Sequence, residues 1–141
     1  PLTFFLYLVL FYFPSAIVKR ALHLFDEIVI AVGVNSDKQY MFSPQQRKKL
    51  IEQQLQNLHR VRVCLYNDMT VDCCHREGAQ FILRGIRNAQ DLEYEKRIAA
   101  VNHQLDPHIE TVLLVADPDM EDVSSTIERE RLLHQPQSNI C

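Results

Sequence analysis

The sequence predicts an α/β domain: a parallel sheet with helices packed on both of its faces. Three observations predict it. Short β-branched or apolar runs alternate with helix-length segments along most of the chain. The clearest run, residues 27–34 (EIVIAVGV), is apolar almost throughout, as a strand covered on both faces must be. Polar loops at 35–41, 84–90 and 116–123 each follow a strand, so right-handed crossovers bring all three to the carboxyl edge of the sheet. Ligands of such sheets bind beyond that edge.

The chain has 141 residues, 47% hydrophobic and 23% charged. That suits a single domain over 1–141, which would bury roughly 68% of its unfolded surface. A net charge of −3 gives no global field toward nucleic acid or anionic lipid, so neither is an expected partner. A phosphate-bearing ligand must be held by a local cluster of donors. Cys64, Cys73, Cys74 and Cys141 contain no CxxC pair and read as reduced thiols of a cytoplasmic protein. Cys73-Cys74-His75 lacks a second ligand pair at metal spacing, so no protein-held metal is expected.

Residues 1–14 differ from the rest. Residues 4–13 are ten consecutive apolar residues and hold four of the seven phenylalanines. A bilayer takes about 20 residues to span, and no basic residues precede the run as they would in a secretory signal. Two readings stay open: a buried strand leading into the first helix, or an aberrant, frame-shifted stretch, since composition changes abruptly near Pro14.

From Ser15 the elements follow in order. Ile17, Ala21, Leu24 and Phe25 recur at helical spacing and predict a helix ending near Asp26. Residues 27–34 are the strand just described. Ser43, Pro44 and Gln46 supply an N-cap, a proline at the first helical position and the third-position partner of a capping box, for a helix to about Gln56. Residues 61–65 are a strand; 71–76 are a short helix closed by Gly78. Residues 81–83 are a strand and 84–90 a polar loop. Asp91 caps a helix to about Gln104, 111–115 form a strand, and Ser124 or Ser125 caps a last helix to Leu133.

Four features of the carboxyl edge could carry chemistry. Arg84-Gly85-Ile86-Arg87 places two guanidiniums about a glycine, and arginine forks match phosphate oxygens. Asp91 to Glu95 follow, with Asp91 and Tyr94 explicable as cap and packing residue. Ser124, Ser125 and Thr126 open the last helix with more hydroxyls than one cap needs, as an anion site would, with Arg129 one turn on. Lys38 stands in the first of the polar loops.

Together these residues resemble phosphopantetheine adenylyltransferase, of the nucleotidylyltransferase superfamily, over about 17–133. The motifs are LRGIRNAQDLEYE (83–95) and VSSTIERE (123–130), supported by Lys38 and by Asp68-Met69-Thr70-Val71-Asp72. The resemblance implies a Rossmann-like nucleotidylyltransferase fold and transfer of AMP from ATP to 4′-phosphopantetheine, with magnesium bridging ATP phosphates. By position it implies that Thr3, Lys38, Thr70 and Arg84 bind the phosphopantetheine substrate. Gly85, Ile86, Arg87 and Glu95 would hold ATP, as would Met120, Glu121, Asp122, Val123, Ser124, Ser125 and Thr126. It implies a homo-oligomer, typically a hexamer, in the cytoplasm.

The departure is at the amino end. Where the family carries a TxGH-type motif, an ungapped alignment puts Pro14 in place of the histidine that stabilises the transition state. If Pro1-Leu2-Thr3-Phe4 instead echoes the family's first turn, Thr3 becomes the phosphate-binding threonine, but the histidine is still missing. No catalytic residue is therefore identified, and the chain as written is expected to turn over poorly or only to bind nucleotide or coenzyme A. The family also continues for a further helix, which is not recognisable after Leu133.

Overall fold

Side chains alternating between two buried faces along the second strand show how the layers form. The computed structural model describes residues 3–8, 15–34, 43–116, 127 and 129–134. In chain order the elements are β1 (Thr3–Leu8), α1 (Ser15–Ala21), β2 (Glu27–Gly33), α2 (Pro44–Gln54), β3 (Val61–Tyr66), α3 (Thr70–Glu77), β4 (Phe81–Ile86), α4 (Ala89–Leu105) and β5 (Glu110–Val115). Along β2, Ile28, Ile30 and Val32 pack with Ile17, Val18 and Ala21 of α1 and with Ile51 and Leu55 at α2. Val29 and Ala31 point the other way, into a cluster with Val71, Cys73 and Cys74 of α3 and with Ile109. Each fully buried aliphatic side chain contributes about 1.5–3 kcal/mol, and a strand apolar on both faces can bury both.

Among the described residues the strands form one parallel sheet in the order β3-β2-β1-β4-β5. The expected α/β class and the helices on both faces are therefore observed. The chain winds outward from β1 through β2 to β3, then returns across to β4 and β5. The order reverses between β1 and β4, and sheets of this kind bind their ligands beyond the carboxyl edge at such a point. Of the first fourteen residues, Thr3–Leu8 form the central strand, paired with β2 on one side and β4 on the other. The expected burial of residues 4–13 concerns side chains outside the described set.

Local signals explain most element ends. The Ser43 hydroxyl accepts from the Gln46 backbone N–H at 3.1 Å, and the Ser43 N–H donates to Gln46 Oε1 at 2.8 Å, completing the capping box beside Pro44. α3 closes on Gly78 at φ 74°, the left-handed conformation that glycine adopts without steric cost. α1 ends at Ala21 rather than near Asp26, because Arg60 takes over the carbonyls beyond it. Its guanidinium donates to Leu22 O at 3.2 Å, Phe25 O at 3.1 Å and Asp26 O at 3.2 Å. α2 stops at Gln54, two residues short of the expected end. Ile127 and residues 129–133 are helical, within the last predicted helix.

Two corrections bear on the site. Arg84, Gly85 and Ile86 are not loop: β4 continues through Ile86, paired in register with Leu113, Leu114 and Val115 of β5. The cap of α4 is Asn88 rather than Asp91, and the helix begins at Ala89. Asn88 Oδ1 accepts from the Asp91 N–H at 2.8 Å, while Asp91 Oδ2 accepts from the Arg87 N–H at 3.0 Å.

Gly85 lies tight against α1. A Cβ built on it would lie 2.3 Å from Ile17 Cδ1 and 3.7 Å from the Ala116 Cβ. Gly85→Ala should therefore destabilise the protein by about 1–3 kcal/mol in urea unfolding, through overpacking. Ile17→Val removes the clashing methyl, so the double variant should lose less than the sum of the two single losses; strict additivity would show that the two residues are not in contact.

Candidate active site

Alternation along β4 sorts the residues at its end. Leu83 belongs to the cluster under α1, and Gly85 abuts Ile17 on that side. Ile82 and Arg84 therefore point to the opposite face, toward α4. There the Arg84 guanidinium meets Glu95 in a bidentate ion pair, Nε donating to Oε2 at 2.8 Å and Nη2 to Oε1 at 2.6 Å. The two side chains are 12% and 6% exposed. Arginine suits such a site because its planar fork matches a carboxylate or a phosphate and stays charged when buried.

The pair opens into a cavity of about 70 Å³ lined by Thr70, Ile82, Arg84, Glu95, Ile98, Ala99, Asn102 and Thr111. Thr70 enters it as the first residue of α3, directly after the β3–α3 turn. That turn is tied down by Arg76, which donates to Asp68 Oδ2 at 2.6 Å and holds the Asp68 carboxyl below the usual carboxylate range. Arg87, just beyond β4, is exposed and pairs through Nε with Asp91 at 3.2 Å.

The structure thus brings together three of the expected site residues, Thr70, Arg84 and Glu95, with Gly85, Ile86 and Arg87 beside them at the strand end. Thr3 is not among them. Its register partner is Glu27, the first residue of β2, which puts it on the amino edge at the far end of the sheet. The likeness of Pro1-Leu2-Thr3-Phe4 to a phosphate-binding turn does not bring Thr3 to the site, because Thr3 and Phe4 open β1. Lys38, Pro14 and Met120 to Thr126 lie outside the described residues. The chain next to them is described, and it leaves from the carboxyl edge: Val34 N–H donates to Tyr66 O at 2.7 Å and Ala116 N–H to Ile86 O at 2.7 Å.

Asn102, a buried polar lining residue, was not anticipated from the sequence. Its signal was available: it follows Glu95 by seven residues, two helical turns, and so shares its face. The histidines lie apart from the Arg84–Glu95 cavity among the described residues: none lines it, and His134 pairs with Glu130 in the last helical segment. His23, His59, His75, His103 and His108 all belong to segments that lead into strands at the amino edge.

Comparison with known proteins gives the family of the chain. A cytidylyltransferase-like family model matches residues 15–131. The phosphopantetheine adenylyltransferase of Flavobacterium johnsoniae is 47% identical over 118 residues, covering 84% of this chain and 77% of that protein. Those of Phocaeicola vulgatus and Lacticaseibacillus paracasei are 44% and 46% identical, over 83% and 80% of this chain and 77% and 68% of their own lengths. The chain belongs to the phosphopantetheine adenylyltransferase family. The family model begins at Ser15, the first residue of α1, so the similarity excludes the apolar segment whose composition stands apart.

Because Arg84 and Glu95 are buried together, removing one should cost far more than removing both. Arg84→Met leaves an unpaired buried carboxylate and should destabilise by about 3–5 kcal/mol in chemical denaturation. Arg84→Met/Glu95→Gln should recover most of that loss. Equal stability of the two variants would mean that the pair is not desolvated as described.

Proposed function

We propose that this chain transfers AMP from ATP to 4′-phosphopantetheine, giving dephospho-coenzyme A and pyrophosphate, in the biosynthesis of coenzyme A. The observation that carries the reading is the buried Arg84 guanidinium at the carboxyl end of β4, beside the point where strand order reverses, in a chain of this family. An oxygen of the phosphopantetheine phosphate attacks the α-phosphorus of ATP; the new P–O bond forms as the bond to the β-phosphate oxygen breaks. Arg84 and Lys38 hold the attacking phosphate, and Thr70 lines the pantetheine side. Gly85, Ile86, Arg87, Glu95 and the segment 120–126 hold ATP. Such a site works by positioning and by charge stabilisation, with no side chain covalently modified.

The carboxylates near the site are engaged: Glu95 by Arg84, Asp91 by Arg87 and Asp68 by Arg76. Magnesium would thus come with ATP and be held by phosphate oxygens and water, supplying charge neutralisation on the polyphosphate. Pro14 in the position of the family's histidine removes one preorganised donor, and such a loss lowers turnover by about 10²–10³. Binding does not depend on that donor. We assign the chain to the cytoplasm; Cys64, Cys73 and Cys74 are free thiols, and no helix among the described residues is long and apolar enough to cross a membrane.

Isothermal titration calorimetry with 4′-phosphopantetheine and with ATP should give saturable binding of both, while pyrophosphate release stays slow. Arg84→Ala should weaken phosphopantetheine binding by about 1.5–3 kcal/mol. Failure to bind either substrate would remove the reading. Binding without any detectable pyrophosphate would mark a nucleotide- or coenzyme-A-binding module.

We also propose that the chain assembles with copies of itself, as a hexamer. Tyr94, Val101 and Leu105 lie along one face of α4 at 52%, 59% and 50% exposure, an apolar stripe that burial between subunits would cover. Light scattering should give a hexamer mass, and Val101→Glu should lower it; an unchanged mass would take α4 out of the interface.

A further inference from the structure

α3 turns two cysteines toward the sheet. Its buried residues are Val71, Cys73 and Cys74, and Cys73 has no exposed surface. Opposite it, Cys64 lies in β3 in register with Ala31 of β2, and both face the cluster that α3 covers. The Cys64 and Cys73 thiols meet there, with the Cys73 S–H as hydrogen-bond donor to the Cys64 sulfur. That donor holds the Cys64 thiol below its usual range, against burial and the Glu77 carboxylate, and the Arg62 guanidinium adds to the lowering. The same contact pushes the Cys73 thiol well above its range. The two also differ in access: Cys64 is half-buried, on a strand that ends the sheet among the described residues. Cys74 is fully buried, its thiol pushed up to about 12, first by that burial. Neither Cys64 nor Cys73 lines the cavity beside Arg84.

We infer that Cys64 and Cys73 are a redox-active pair, which a small-molecule disulfide closes into a disulfide bond joining β3 to α3. The Cys64 thiolate attacks one sulfur of the incoming disulfide. The S–S bond of the reagent breaks, one thiolate leaves, and Cys64 carries the other half as a mixed disulfide. Cys73 then gives up its proton, attacks the Cys64 sulfur and expels the second thiolate. Two protein thiols are thereby oxidised to one disulfide, and the reagent is reduced to two thiols, which take up the two protons. The roles follow burial: Cys64 is open to a reagent from solvent, whereas Cys73 reaches only Cys64. Packing by itself does not call for this arrangement, since a small aliphatic side chain at either position would fill similar space without a reactive sulfur. The inference concerns a place apart from the substrate site and does not rest on the functional reading.

The test treats the full chain carrying Cys141→Ser, which leaves three thiols, with oxidised glutathione at about pH 8. Unreacted thiols are then alkylated in denaturant and the intact mass is read. Cleavage before Asp68 separates Cys64 from Cys73 and Cys74 for mapping. Two of the three thiols should escape alkylation with no glutathionyl group retained, the Cys64 fragment should be linked to the one holding Cys73, and dithiothreitol should restore all three. Adding Cys74→Ala should change nothing, which assigns the bond to Cys73. With Cys73→Ser the reaction should stop at one glutathionyl group on Cys64. With Cys64→Ser thiol loss should slow at least about tenfold, because the thiols that remain are buried. Thermal melts establish that each variant is folded; if Cys73→Ser is not, Cys73→Ala should give the same trapped mixed disulfide. Retention of all three thiols, a glutathionyl group persisting on Cys64 while Cys73 is present, or a bond to Cys74 overturns the inference. So does thiol loss in Cys64→Ser as fast as in its parent.

Discussion

The end of β4 imposes the constraint on which the rest of the site depends. A strand turns successive side chains to opposite faces, so Leu83 and Gly85 must serve α1 while Ile82 and Arg84 serve α4. α1 packs close to Gly85, with the tip of Ile17 in the space a Cβ there would take, and the strand stays regular through Ile86. The regular strand in turn carries Arg84 into the layer beneath α4, where Glu95 meets it. A side chain at Gly85 would have to displace the tip of Ile17. Packing against α1 and the ion pair with α4 are thus made by adjacent residues of one strand.

The parallel sheet divides labour between its two edges. On the carboxyl side, helix starts and strand ends converge: Thr70 opens α3, while Asn88 caps α4 and Ser43 caps α2. Backbone N–H groups at such helix starts face the same edge that Arg84 and Arg87 approach, a setting suited to anionic ligands. The amino side is held by ion pairs of structural character. Arg62 bridges Glu27 and Glu77, and His75 contacts Asp106, whose carboxyl lies below its usual range through the His108 backbone N–H and then through His75. Five of the six histidines belong to this edge.

Much of this was legible in the sequence because the signals are local. Ser43-Pro44-Gln45-Gln46 contains its whole capping box, Gly78 stands where a left-handed closure is needed, and residues 27–34 show the composition of a doubly covered strand. What was not legible depends on distant partners. Arg84-Gly85-Ile86 reads as polar loop because a lone arginine counts against a strand, and the carboxylate that makes its burial tolerable sits eleven residues on, in the next helix. Asn88 and Asp91 are both good caps three residues apart, and their reciprocal contacts with the turn decide between them. Thr3 was placed at the site by likeness to a turn, whereas the register of β1 against β2, which no local pattern encodes, puts it at the opposite edge.

The central claim is that the β4 terminus and α4 form the phosphate-binding end of the site. Its most direct test is a crystal structure of the protein with 4′-phosphopantetheine. The account predicts the ligand phosphate at the carboxyl edge within about 3 Å of an Arg84 guanidinium nitrogen, with the Arg84–Glu95 pair intact and the pantetheine arm running past Thr70. A phosphate bound at the amino edge, or one that leaves Arg84 uncontacted while bound elsewhere on the carboxyl edge, would contradict it.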